Sequence, residues 1–178
     1  MKLYVIRHGR TDWNSRRIMQ GRTDIPLNED GIAQAREAKA EIDKYALDRV
    51  FVSPLRRARQ TAEILLEGRN VPVIAADALM ERSYGIYEGK SSTSFDYVGF
   101  WDPARDLHYP QAESVSEFFA RVWPFLDMLR ERFPEERILL VTHGGVLRAV
   151  DCYFDRTKMT DMLGQTIPKN CSVKEYDT

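Results

Sequence analysis

Two apolar runs in this chain break off in the same way. Residues 2–6 read KLYVI and are followed by Arg7, His8 and Gly9. Residues 137–142 read RILLVT and are followed by His143, Gly144 and Gly145. Unbroken apolar runs of this length are the mark of strands covered on both faces, as in a parallel sheet between layers of helices. A third run, Arg49–Ser53, has the same character, and Val71–Ile74 and Cys171–Tyr176 complete five expected strands.

Helix signals fill the intervals. Asn28 stands as a cap before Glu29 and Asp30, and Ile32, Ala35, Ala38 and Ile42 then share one face of a helix running to about Tyr45. Ser53-Pro54 reads as a cap followed by proline at the first helical position, starting a helix to about Glu67. Ser114 and Glu117 form a capping box for a long helix with Val115, Phe118, Val122, Leu126, Leu129 and Phe133 on one side. Gly144-Gly145 leads into a helix from Val146 to about Phe154, and a short helix is expected around Lys158–Leu163. Strands alternating with helices imply βαβ units. The expected fold is therefore α/β: a three-layer sandwich with a mostly parallel central sheet and helices on both faces. No repeat or linker divides residues 1–178, so one domain is expected, with an irregular, aromatic-rich excursion at about 85–112.

Charge is what the composition adds. The chain has 178 residues and a net charge of −1, which argues against a general polyanion binder such as a nucleic-acid protein. Residues 7–22 nevertheless carry five arginines against Asp12 alone, a local net of +4, and Arg56, Arg57 and Arg59 follow in LRRARQ. Positive charge focused in this way suits a small anionic ligand. No apolar stretch approaches the roughly 18 residues of a membrane span, and Met1 leads straight into the first strand, so a cytoplasmic protein without a leader is expected. Cys152 and Cys171 form no CxxC or metal-ligand spacing, in keeping with a reducing compartment.

In open α/β sheets ligands bind outside the carboxyl ends of the strands. Arg7-His8, Ser53 with the arginine-rich helix it feeds, and His143 all lie just past such ends. Three strand ends would thus deliver His8, His143, Arg7 and Arg57 to one rim, where cations and helix N-termini make a phosphate site. A lone histidine after a strand is ordinarily a packing or hydrogen-bonding residue. Two His-Gly pairs at matching ends, with arginines beside them, point to a shared site. Of Arg56, Arg57 and Arg59, which point in different directions on a helix, only one need reach it.

These segments resemble those of the histidine phosphatase (phosphoglycerate mutase-like) superfamily. RHGRTDWN is similar to its RHG motif, SPLRRARQTAEIL to its S-x-L-x-R-A-x-Q-T-A segment, LMERSYGIYEG to its L-x-E-x-x-x-G-x-x-E-G segment, and VTHGGVLR to its second-histidine segment, in that order; NCSVKEYD fits its usual closing strand. The resemblance implies a metal-independent, acid-type histidine phosphatase acting on a small phosphorylated metabolite, with no cofactor and no nucleic-acid or membrane partner, and leaves a homodimer open. It implies that His8 takes the phosphoryl group, that Arg7, Arg57 and His143 hold the phosphate, and that Glu81 donates the proton. Thr11, Asn14 and Gly21 fall on positions that bind phosphate or adjoining substrate, and Glu88 reads as structural.

The chemistry suits these types. In-line attack needs an unprotonated imidazole nitrogen, the equatorial oxygens need preorganised cations, and the departing alkoxide needs a proton. Arg10 departs from the pattern, since many relatives carry an acid there, and PQAES at 110–114 replaces a Gly-Gly before Glu-Ser. Phosphoglycerate mutase activity is the alternative. It is disfavoured because cofactor-dependent mutases add a mid-chain segment and a C-terminal tail, and because HGG resembles the phosphatase members. A non-catalytic binding member would need neither nucleophile nor acid, and a metal-dependent hydrolase would not place arginines beside its histidines.

Overall fold

The computed structural model describes residues 1–162 and 168–177. Five strands form one sheet: β1 (Lys2–Arg7), β2 (Arg49–Val52), β3 (Val73–Ala75), β4 (Arg137–Thr142) and β5 (Val173–Asp177). Their order is β3-β2-β4-β1-β5. All neighbours are parallel except β5, which runs antiparallel to β1. The helices are α1 (Asp12–Ser15), α2 (Glu29–Ile42), α3 (Arg56–Leu65), α4 (Tyr97–Phe100), α5 (Val115–Arg132) and α6 (Gly144–Phe154).

The period-two geometry of a strand explains the three layers. Leu3 and Val5 of β1 and Ile138 and Leu140 of β4 face one cluster, shared with Val122, Leu126 and Leu129 of α5 and Val146 and Val150 of α6. Tyr4, Ile6, Leu139 and Val141 face the other, with Ala35 and Ile42 of α2 and Ala58, Ala62 and Leu65 of α3. Both faces are covered, so the runs had to be apolar throughout. Each such aliphatic side chain contributes roughly 1.5–3 kcal/mol on burial. β3 covers less: its three residues are exposed, and it begins two residues later than the sequence suggests.

Three expected elements need correction. The Ser53-Pro54 cap does not form. α3 starts at Arg56 after Leu55, without a side-chain cap from its own segment. Ser53 Oγ is held instead by His143, and the Arg56 amide donates to Asp24 Oδ1 at 2.6 Å, so a distant carboxylate serves the helix end. The last short helix is a 3₁₀ segment over Arg156–Asp161, and Leu163 lies outside the described residues. The excursion at 85–112 is organised by 3₁₀ turns at Gly85–Tyr87 and Ser92–Ser94 and by α4, and a bridge between Tyr84 and Ala112 closes its base. Phe100 and Trp101 are buried within it, and Gln111, where a glycine was missed, adopts φ +62°.

The capping box of α5 is present: Ser114 Oγ accepts from the Glu117 amide at 3.2 Å, and the Ser114 amide donates to Glu117 Oε2 at 2.7 Å. Ser114→Ala should lower stability by about 1 kcal/mol, read from the urea midpoint at unchanged slope.

Candidate active site

β1 and β4 are adjacent and parallel, with Arg7 opposite Thr142. The next residue on each strand is a histidine, so the register alone sets His8 beside His143. Their ring centroids are 5.1 Å apart. Beyond this point the chains diverge, β1 toward α2 on one face and β4 into α6 on the other, which opens a crevice at the strand ends.

His8 is 3% exposed. Its Nδ1 lies 2.7 Å from the Gly9 carbonyl, which can only accept, and Arg57 Nε, which can only donate, lies 3.3 Å from Nε2. The two neighbours therefore fix the tautomer: Nδ1 carries the proton and Nε2 the lone pair. Burial, then the charges of Arg57 and Arg7, hold the imidazole pKa well below 6.5. His8 is a neutral base at physiological pH.

His143 is fully buried beside His8. Its Nε2 lies 2.7 Å from Ser53 Oγ. That oxygen also accepts the Leu55 amide at 3.3 Å, and with its own proton given to His143 the imidazole proton stands on Nδ1. Nδ1 has no partner, and neither has Arg7 Nε. Two buried donors without acceptors beside a nucleophilic imidazole are the arrangement that phosphate oxygens would satisfy.

Arg57 is 1% exposed, while Arg56 and Arg59 face solvent. It donates from Nη2 to the Gly21 carbonyl at 2.7 Å and from Nη1 to the Thr23 carbonyl at 2.9 Å. Burial lowers its pKa to about 10, far enough above neutrality to keep the charge. Carbonyls orient this guanidinium without neutralising it. Arg7 donates likewise to the Pro168 carbonyl at 3.3 Å.

Glu81 faces the same pocket. Its Oε1 accepts from the Arg82 amide at 2.9 Å and its Oε2 from the Gly145 amide at 3.1 Å, at the first turn of α6. A Cβ on Gly145 would stand 2.2 Å from Glu81 Oε1, so the second glycine of HGG is what lets the carboxylate approach. Asn14 and Gly21 also line the pocket. Gly21 has φ +50°, and a Cβ there would meet Glu88 Oε1 at 2.1 Å; its carbonyl serves Arg57. Thr11 does not line the pocket. It is fully buried and caps α1, its hydroxyl bonded to Gln20 Oε1 at 3.0 Å and accepting the Asn14 amide, so its place is behind the site.

A family model described as histidine phosphatase superfamily (branch 1) matches residues 3–178. The chain belongs to that superfamily. It is 36% identical over 148 residues to an uncharacterised phosphatase, PhoE, of Bacillus subtilis (82% of this chain, 73% of the relative). It is also 36% identical over 168 residues to a 2,3-bisphosphoglycerate-dependent phosphoglycerate mutase of a Methylobacterium species (86% and 80%). Among solved structures, a putative α-ribazole-5′-phosphate phosphatase of Escherichia coli superimposes with a TM-score of 0.86 at 27% identity, covering 99% of this chain and 90% of that one.

Further residues stand at the site, among them two of the three excursion aromatics, Tyr97, Phe100 and Trp101, that the sequence left between stacking on substrate and packing over the sheet. Trp13, Gln20, Tyr97, Trp101 and Arg148 all line the pocket. Tyr97 and Trp101 come from the excursion, whereas Phe100 does not line the pocket and stacks on Tyr84, which does. An arginine inside the apolar stretch VLRAV was the one available signal for Arg148. Glu88 is structural: it accepts the amides of Arg22, Thr23 and Tyr84 at 2.9, 2.8 and 3.1 Å. Arg10 is exposed and pairs with Asp30 at 3.3 Å, outside the pocket.

Removing the Ser53 hydroxyl leaves His143 free to take the other tautomer. Ser53→Ala should lower kcat/KM on a phosphomonoester by about 10- to 100-fold with a near-native melting temperature. The imidazoles also make stability pH-dependent. Both titrate near 6.5 when unfolded and well below that when folded, so in between the unfolded state binds more protons and stability rises with pH. Their contribution is complete above pH about 6.5 and is lost as pH falls toward the folded values, at up to about 2.7 kcal/mol per pH unit for two groups. Urea midpoints should fall from pH 7 to pH 5, with a shallower fall in His143→Asn.

Proposed function

We propose that this protein is a metal-independent phosphomonoesterase of the acid type, working through a phosphohistidine on a small phosphorylated metabolite. The observation that carries the reading is the fixed tautomer of His8: Nδ1–H on the Gly9 carbonyl, Nε2 with its lone pair beside Arg57. In the first step Nε2 bonds to phosphorus and the ester oxygen leaves with a proton from Glu81. The Gly9 carbonyl takes the positive charge that builds on Nδ1–H, while Arg7, Arg57 and His143 Nδ1–H meet the equatorial oxygens. In the second step water attacks phosphorus, Glu81 takes its proton, and the P–N bond breaks to return neutral His8. The depressed imidazole pKa keeps the nucleophile competent on the acid side of neutrality.

A cytoplasmic setting is supported by the chain's having only two cysteines, Cys152 and Cys171, both buried and neither in a disulfide. Among the described residues no helix is long and apolar enough to cross a membrane. Mutase turnover is the second reading, because relatives named as mutases match as closely as those named as phosphatases.

Wild-type protein should release p-nitrophenol from p-nitrophenyl phosphate in EDTA, and His8→Ala should abolish it; loss of wild-type activity in EDTA would overturn the metal-independent reading. Glu81→Gln should lose about 10²–10⁴-fold on alkyl phosphates and much less on p-nitrophenyl phosphate, whose leaving group hardly needs a proton. Equal losses would remove Glu81 from the acid role. A panel of phosphorylated metabolites, with 3-phosphoglycerate plus 2,3-bisphosphoglycerate, separates hydrolysis from phosphoryl return.

A further inference from the structure

Arg148 is a buried cation facing the pocket that the steps above do not use. It is 5% exposed, and its Nε and Nη1 are buried without a hydrogen-bond partner. No carboxylate pairs with it among the described residues. Its one close neighbour of note is the Trp101 ring, 5.0 Å from the guanidinium carbon. Burying a guanidinium with two donors unmet is costly, and stacking on an indole offsets only part of that. Arg57 shows the contrast, with each of its nitrogens given an acceptor.

Its place on α6 sets it toward the Glu81 side of the pocket. Arg148 lies three and four residues beyond Gly145 and Gly144, hence on the same face of α6, one turn deeper. The open flank of Gly145 meets Glu81 Oε1 and Trp101, so this face of α6 borders the side on which a leaving group departs. Among the described lining residues Arg7, Arg17, Arg57 and Arg148 stand against Glu81 alone, a net of +3. A phosphomonoester dianion leaves part of that charge unmatched.

We propose that Arg148 binds a second anionic group on the leaving-group portion of the substrate, and so selects short phosphomonoesters that carry a carboxylate or a second phosphate near the ester oxygen. This rests on the phosphatase reading and names its substrate class. The guanidinium offers Nη2–H, its one nitrogen not sealed from the pocket, to that group, and Trp101 holds the plane of the fork.

A matched three-carbon series tests it: propyl phosphate, 3-phosphonooxypropanoate and propane-1,3-diyl bisphosphate. The wild-type kcat/KM should favour at least one of the doubly functional esters over propyl phosphate by about 10- to 100-fold. Which of the two leads tells carboxylate from phosphate. Arg148→Met should bring that ratio close to unity, and Arg148→Lys should keep part of it; should Arg148→Met fail to fold, Arg148→Gln carries the same expectation. A flat wild-type series overturns the assignment. So does a ratio that survives Arg148→Met, because Arg148 would then serve packing alone. Release of p-nitrophenol with a flat series sinks this proposal by itself, whereas no phosphate release from any ester sinks the phosphatase reading.

Discussion

The parallel pairing of β1 with β4 is the constraint on which the rest depends. With Arg7 opposite Thr142, the two histidines leave the sheet side by side, and nothing else in the chain need be adjusted to bring them together. A slip of one residue would turn one imidazole to the opposite face. The register is secured by the core itself, since Leu3, Val5, Ile138 and Leu140 must all meet the α5–α6 layer while Tyr4, Ile6, Leu139 and Val141 meet the α2–α3 layer. Packing energy is thereby converted into the placement of two rings 5.1 Å apart.

Charge at the site follows one rule. The cations are held by carbonyl oxygens, not by carboxylates: Arg57 by Gly21 and Thr23, Arg7 by Pro168. A carboxylate would have fixed the same geometry and cancelled the charge needed for phosphate. The imidazoles are treated the opposite way, with burial and nearby guanidiniums keeping them neutral. One site thus holds permanent cations beside a base that resists protonation, and the burial that keeps His8 neutral also gives the fold a pH-dependent cost.

Glu81 depends on a separate scaffold. Arg121 of α5 donates to the carbonyls of Ala78 and Met80 at 2.8 and 3.1 Å, which pins the segment that ends in Glu81. Glu113 holds Arg121 and Arg22 at 2.8 and 2.9 Å. Arg82, fully buried, donates to the carbonyls of Phe100 and Glu113 and places its guanidinium 3.5 Å above the Phe100 ring. The excursion that looked irregular in sequence is therefore fastened to the residue beside Glu81, and it contributes Tyr97 and Trp101 to the pocket wall.

What could be read from the chain alone was whatever depends on local periodicity or on residue type. Apolar runs buried on both faces announce parallel strands, and an Arg-His-Gly or Thr-His-Gly at the end of such a run announces a rim of functional groups. The resemblance to the family segments is what singled out His8, Arg7, Arg57, Glu81 and His143. Hidden from the sequence were pairings between distant elements. Ser53 reads locally as a helix cap and becomes the partner of His143 only when β2 lies beside β4. Thr11 reads as a phosphate ligand and turns inward because Asn14 and Gln20 claim its hydroxyl. Arg148 reads as one polar residue on an apolar helix, and the unmet donors that give it meaning exist only once Trp101 and the sheet have closed around it. Periodicity is a property of a segment; a tautomer, an orphaned donor or an oriented guanidinium belongs to neighbours that tertiary packing alone brings within 3 Å or so.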